Sequence, residues 1–539
     1  MGTLRESKMC IVVLVMTALV TTLLSLALNF SPSSVINWLP LQQLDLQAVF
    51  NQTFTNYQAD MSERSRKNET AAPTSESKPT LDFEVTRRLV ETNLRDAYFF
   101  FSNQLKQLYS SNTKMKPEDF KNLQKEGAER IRILQYDLRR LGQVGDEEGS
   151  WRQREAKELS EEIQQRLHRL QHPPDCATAK KLLCDLNAPC GFGCEIHHLI
   201  HCFMAAYEKN RTLILNSAGW RYSPKGWETV FQPFSETCTN FSAKNMTNWP
   251  GTNESQTVRF PDFYTMIPPP VNLPLAIPQD ISERLIRLHG SPGVWWVGQF
   301  IKYFFKLHPY VKEMINNTQK AIQFQHPIVG VHVRRTNKYT EARFYNVDDY
   351  MEQAEEYFAG LEIFNPNVTR RIYLASEEPK VYEEVKLKYP HYKILYHQKK
   401  IDVVQMSTRR SLTSLRDLLV DIHFLTHSDY VILTFSSNFG RLVYEIMQTL
   451  HPDASDKFYS LDSTYFSYAQ RPSFLKSRFH HHDRRTNLTI EQGKKLMSPS
   501  WSHDFRNDLY LPYKTSEKTV AIPYYKLENV VDVVNVDSP

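Results

Sequence analysis

Residues 330–344 read GVHVRRTNKYTEARF, an apolar run that stops at two adjacent arginines with a lysine and a glutamate close behind. In a strand the side chains alternate, so His332 and Arg334 share one face and Arg335 takes the other. A guanidinium offers parallel N–H donors that match phosphate oxygens, and two of them can neutralise a diphosphate without a metal ion. An interdomain salt bridge is the plainer alternative. Glu341 follows seven residues after Arg334. A carboxylate there could take a proton from a hydroxyl once its pKa is raised, with Lys338 orienting it or the substrate. Without context, such a glutamate is more often the acidic start of a helix.

A second cluster is DYVILTFSSNFGRLVYEIMQ, where an apolar run ends at Ser436 and Ser437 and a helical pattern begins. Free amides at a helix start, with hydroxyls beside them, form an anion cradle; an ordinary N-cap explains the same residues. Upstream, Asp421 falls between Leu418 and Leu425 on an otherwise apolar helical face and needs a partner, either an arginine or a donor group on a ligand. In CGFGC, Gly191 and Gly193 flank Phe192 and permit a tight turn with close backbone approach, or simply a bend pinned by cysteines. His197, His198 and His201 include an i, i+4 pair, yet no HExxH accompanies them, and packing outranks metal binding there; the HHHD tract at 480–483 reads as an exposed tract and not as a site.

These residues need a scaffold. Short apolar runs (RTLILN, PIVGVHV, RRIYLAS, YKILYH, DYVILTF) alternate with helical stretches such as SLRDLLVDIHFLTH, which predicts an α/β fold with a mainly parallel sheet covered on both faces. Ligands in such sheets sit beyond the carboxyl ends of the strands, where Arg334 and Ser437 fall. Neither GxGxxG nor GxxxxGKS occurs, so no dinucleotide fingerprint or P-loop is available. The 65 basic and 60 acidic residues are interspersed and leave a net charge of +5, which argues for local anion sites and against a nucleic-acid partner.

The 539 residues divide by composition. After a basic tail (1–8), Met9 to Leu28 carry no charge, which predicts a membrane anchor over 9–30 with the rest of the chain in the lumen; a cleaved signal peptide is the alternative. Residues 31–80 read as a polar stem. Over 81–171, Ile131, Leu134, Leu138 and Leu141, then Leu159, Ile163, Leu167 and Leu170, mark helices with a narrow apolar seam. Such a seam folds back on its own domain or pairs with another chain, and dimerisation is the favoured expectation. Six cysteines, Cys176, Cys184, Cys190, Cys194, Cys202 and Cys238, crowd into 63 residues. An oxidising lumen favours three disulfides over a zinc site, and sequons such as Asn210 and Asn367 suit that compartment.

GVHVRRTNKYTEARF, CGFGC, SPGVWWVGQFIKYF and LTFSSNFGRLVYEIMQTLHPDAS, in this order, resemble the eukaryotic alpha-1,6-fucosyltransferases that add core fucose to N-glycans. The resemblance runs from about residue 81 to the end. It implies a type II Golgi membrane protein with a GT-B-like catalytic domain over 172–470, whose Rossmann-type donor part covers about 326–455, and an SH3-like barrel over 471–539, shortened here between Trp501 and Tyr510. It implies a GDP-fucose donor, an N-glycan acceptor, inversion at the sugar carbon and no metal or other cofactor. By the same likeness Arg334 and Arg335 hold the diphosphate, while His332, Tyr222, Gly191, Phe192, Gly193, Asp421, Ser437 and Asn438 help bind GDP. Glu341, assisted by Lys338, would take the proton from the acceptor 6-hydroxyl, and Asp462 corresponds to an acceptor position. Disulfides are implied between Cys176 and Cys238, Cys184 and Cys202, and Cys190 and Cys194.

The chain departs from the family pattern at several of these places. Asn337 replaces the aspartate of RRTDK, Glu377 and Glu378 replace paired aspartates, Asn438 replaces a glutamine, and Ser463 a second aspartate. Leu433 and Gly440 stand where vertebrate members have a cysteine pair. Two other functions fit parts of the pattern: a protein O-fucosyltransferase, whose arginine motif is similar, and a non-catalytic Golgi lectin or scaffold.

Overall fold

The computed structural model describes residues 79–539 apart from 112–115, 145–149, 187–189, 243–245, 263–266, 269, 271–274, 336–342, 399–409, 467–473, 484–485, 498–509, 515–518, 524–525 and 537–539. The anchor expected at 9–30 lies outside the described residues, as do Asn337, Lys338 and Glu341. Among the described residues no helix is long and apolar enough to cross a membrane.

Three helices come first: α1 (Leu81–Ser111), α2 (Pro117–Val144) and α3 (Ser150–Gln171). The two seams meet different fates. Leu159, Ile163 and Leu167 of α3 are fully buried and join the main core of the body that follows, so this seam is satisfied within the chain and leaves nothing for a coiled-coil partner. On α2, Ile131 is buried but Leu141 is half exposed. Ile163→Ala should therefore cost about 2–5 kcal/mol of stability, read from the urea midpoint, with no change in sedimentation. A fall in oligomer size instead would return the α3 seam to an intermolecular role.

Two parallel sheets follow. The first comes from β1 (Lys181–Asp185), α4 (Phe192–Glu208), β2 (Thr212–Asn216), β3 (Met246–Asn248) and β4 (Thr257–Arg259), with strand order β2-β1-β4-β3. A short β5 (Ile277–Pro278) leads into α5 (Gln279–Leu288), α6 (Pro292–Phe304) and α7 (Pro309–Ile322). The second sheet comprises β6 (Val329–Val333), α8 (Val347–Glu362), β7 (Arg371–Ser376), α9 (Pro379–Lys388), β8 (Lys393–Leu395), α10 (Leu412–Thr426), β9 (Tyr430–Leu433), α11 (Asn438–Met447) and β10 (Phe458–Ser460). Its order is β10-β9-β6-β7-β8, all parallel, so the chain winds outward from β6 in both directions and leaves a switch point between β6 and β9.

Burial explains the strand sequences. β6 is buried at all five positions because helices cover both of its faces. Val329, Val331 and Val333 pack with α8 and α9, whereas Tyr373 and Leu433 of the neighbouring strands belong to the larger core with α10 and α11. Arg132 of α2 donates to Glu356 of α8 at 2.8 Å, and Tyr136 stacks on Phe364 at 4.2 Å, which seats the helical pair on this sheet's outer layer.

The remaining strands are short: β11 (Phe474–Ser477), β12 (His481–Asp483), β13 (Leu488–Ile490), β14 (Lys495–Met497), β15 (Tyr510–Lys514), β16 (Thr519–Pro523), β17 (Leu527–Asn529) and β18 (Val533–Val534). Antiparallel pairing joins β14-β11-β17, β12-β13 and β15-β16 around a small core of Leu475, Ile490, Leu496, Ile522 and Leu527. β18 returns to pair with β5 and ties this tail to the body.

Candidate active site

Arg334 and Arg335 leave the carboxyl end of β6 on opposite sides, as alternation requires. Arg335 follows the valine face. It donates to Glu384 of α9 at 2.9 Å and lies 4.8 Å over the Phe344 ring. Arg334 and His332 occupy the other face, and the His332 ring packs 4.5 Å from Phe439 in the first turn of α11. Arg334 donates to Glu377, just past β7, at 2.5 Å. Both arginines therefore hold carboxylates, and Glu377, a departure from the family pattern, shares the guanidinium assigned to phosphate.

Two helix N-termini converge beside His332 on this face of β6. α4 starts at Phe192 after Gly191, whose extended backbone offers no side-chain cap; α11 starts at Asn438 after Ser437, whose hydroxyl makes no capping bond either. First-turn amides and the aligned peptide dipoles favour an anion at each start. Gly193 sets the distance between them: a Cβ there would lie 2.8 Å from the Asn438 carbonyl carbon and 2.9 Å from the Phe439 nitrogen. The close approach that CGFGC permits is thus to the backbone of α11. Around Gly191 there is open space. A disulfide between Cys190 and Cys194 clamps this start, Tyr222 accepts the Phe192 N–H at 3.0 Å, and the other bonds join Cys176 to Cys238 and Cys184 to Cys202. His198 lies near Cys184 and Cys202, but their sulfurs are bonded to each other and form no thiolate pair for a metal.

The loop between β9 and α11 is shaped by Asp462. Its Oδ1 accepts from the Phe435 N–H at 2.9 Å, the Ser436 N–H at 3.3 Å and the Ser460 hydroxyl at 3.1 Å. The carboxylate assigned to acceptor binding thus braces the loop that carries Ser437. Removing its charge should cost about 1–3 kcal/mol, because the amides it holds are buried. Asp462→Asn is accordingly expected to lower the urea midpoint and raise the KM for the donor; an unchanged donor KM would leave Asp462 a purely acceptor-side group. Asp421, buried on α10, accepts the Tyr373 hydroxyl at 2.8 Å, so one partner that its apolar setting demanded is a tyrosine.

Three groups here were not singled out from sequence. Burial pushes the Glu195 carboxyl up to about 7, against the pull of the Trp220 N–H, Arg221 and Arg410. Glu445 and Arg441, both fully buried, face α4: His197 lies 3.0 Å from Glu445 and 3.1 Å from the Asn438 Oδ1, while Arg441 donates to the Phe435 carbonyl at 3.2 Å and to the Asn438 side chain. Asn438, expected to touch the donor, therefore turns its side-chain oxygen inward. Burial alone would raise the Glu445 carboxyl; His197, the Tyr465 hydroxyl and Arg441 outweigh it and hold it below its usual range.

A guanidinium, two uncapped helix starts and a polar loop at a switch point are groups whose chemistry suits an anion such as a diphosphate. Residues 40–466 match the family model for alpha-(1,6)-fucosyltransferase N- and catalytic domains. The chain is 40% identical over 468 residues to an alpha-(1,6)-fucosyltransferase of Drosophila melanogaster, covering 86% of this chain and 75% of that one. It is 31% identical over 456 residues to one of Caenorhabditis elegans, covering 83% and 78%. The crystal structure of fucosyltransferase NodZ from Bradyrhizobium overlaps 49% of this chain and 92% of that one at 13% identity and a TM-score of 0.32. With four-fifths of its length matched by the family model, and two relatives alike over most of theirs, the chain belongs to the alpha-(1,6)-fucosyltransferase family.

Proposed function

We propose that this enzyme moves L-fucose from GDP-fucose to the 6-hydroxyl of the innermost, Asn-linked GlcNAc of N-glycans, with inversion and without a metal ion. The observation that supports the donor half is the meeting of the starts of α4 and α11 at Gly193, with His332 of β6 against Phe439 and Arg334 next on the same strand face. In this reading the acceptor oxygen attacks the fucose carbon from the side opposite GDP, and the carbon–phosphate-oxygen bond breaks. The electron pair leaves on GDP, whose growing charge Arg334 and the helix dipoles stabilise. Glu341 takes the hydroxyl proton, with Lys338 orienting the exchange. Arg335, paired with Glu384 on the far face, supports the strand end instead of reaching the diphosphate.

Golgi residence, a type II anchor at 9–30 and an SH3-like tail belong to the same proposal. Homodimerisation is assigned to α1 and α2, where Phe100, Ile133 and Leu141 remain exposed. The test is to incubate the full-length protein with GDP-fucose and a GlcNAc-terminated biantennary glycopeptide, with and without a chelator, and to locate new fucose by mass spectrometry. Transfer to the innermost GlcNAc in both conditions is expected. Fucose on Ser or Thr would select a protein O-fucosyltransferase, and neither transfer nor GDP release would leave a binding protein.

A further inference from the structure

A buried polar cluster joins α4 to α11 and takes no part in the transfer chemistry above. His197, in the second turn of α4, is 2% exposed, and both of its ring nitrogens face acceptors. Nδ1 lies 3.1 Å from the Asn438 Oδ1, an atom that also accepts from Arg441. Nε2 lies 3.0 Å from each oxygen of Glu445, whose Oε1 also accepts the Tyr465 hydroxyl at 2.6 Å. His197 thus bridges α4 to two positions of α11, Asn438 and Glu445.

We infer that His197 is a positioning residue for the donor diphosphate: its two-sided bridge ties the second turn of α4 to Asn438 and Glu445 of α11. The inference rests on the GDP-fucose reading. Asn438 is the first helical residue after Ser437, so the bond from His197 sets where Ser437 and its loop stand. One turn earlier on α4, Gly193 brings the two helix starts into backbone contact, which leaves little room for a different register. The neighbouring His201 adds no charge to the cluster, since burial, His197, His198 and Arg441 push its pKa down to about 3, and burial and Glu445 keep the Tyr465 hydroxyl neutral. The bridge therefore acts through position: it places the two helix starts that would face the phosphates.

His197→Gln in the full-length protein can bridge one side only. The dissociation constant for GDP, by calorimetry, and the KM for GDP-fucose should each rise about tenfold, while the KM for the acceptor glycopeptide stays within about twofold. Tyr465→Phe, which loosens Glu445 with less disturbance, should shift the same donor quantities by about threefold and decides the matter if His197→Gln does not fold by near-UV circular dichroism. A folded variant that binds GDP as tightly as the wild type, or one whose donor and acceptor KM values rise together, overturns the inference. Failure of the wild type to bind GDP would overturn the functional reading and this inference with it, whereas wild-type turnover beside an unaffected variant removes only the role of His197.

Discussion

Arg334→Ala is expected to weaken GDP binding by about 100-fold, roughly 3 kcal/mol, and to lower kcat/KM for GDP-fucose at least as far. The side chain is the guanidinium on the crevice face of β6, and loss of one charge-assisted donor at a sequestered phosphate is worth that much. Arg334→Lys should recover part of the affinity, since a point charge lacks the fork. Glu377 supplies the internal control. It holds Arg334 at 2.5 Å, so an incoming phosphate must compete with it, and Glu377→Gln should tighten GDP binding. Calorimetry with GDP across the three variants checks the series. Equal affinity in wild type and Arg334→Ala would mean that the arginine serves Glu377 alone, the salt-bridge reading of the motif.

Glu341→Gln should lower kcat by about 10²–10⁴-fold and leave the dissociation constant for GDP unchanged. The amide keeps size and hydrogen bonding but cannot accept a proton, so the step that fails is activation of the acceptor oxygen. Single-turnover transfer, with GDP affinity measured in parallel, separates this from a binding defect. A parallel loss of GDP affinity would make Glu341 a donor-side group, and full turnover would move the base elsewhere.

Much of the β6 strand end and its sheet was legible because the signals are local. Alternation in a short apolar run placed Arg334 and Arg335 on opposite faces, and the run of strand and helix patterns announced a parallel sheet. The other sheet was harder to read: β3 and β4 are three residues each and carry no alternation long enough to register. The α3 seam was visible as a seam, but its spacing is the same whether the apolar partner belongs to another chain or to α6, and only the main core distinguishes them. His197 stood in a histidine tract that reads as packing, and its partner Glu445 lies 248 positions away, beyond any pattern in one sequence. Asp421 was recognised as a buried acid in need of a donor, yet nothing near it names Tyr373 of β7. The acceptor side gained least, since Asp462 turns its carboxylate to its own loop.

The contact at Gly193 also bears on how the molecule comes apart. A glycine pressed against the Asn438 backbone, with the His197–Glu445 bridge buried beneath it, leaves neither parallel-sheet half a finished surface of its own. Separating them would leave those buried polar groups without partners in the same event that opens the larger core, so the halves should melt as one cooperative unit. A scanning calorimeter would then record a single endotherm for them, with a van't Hoff enthalpy that matches the heat absorbed.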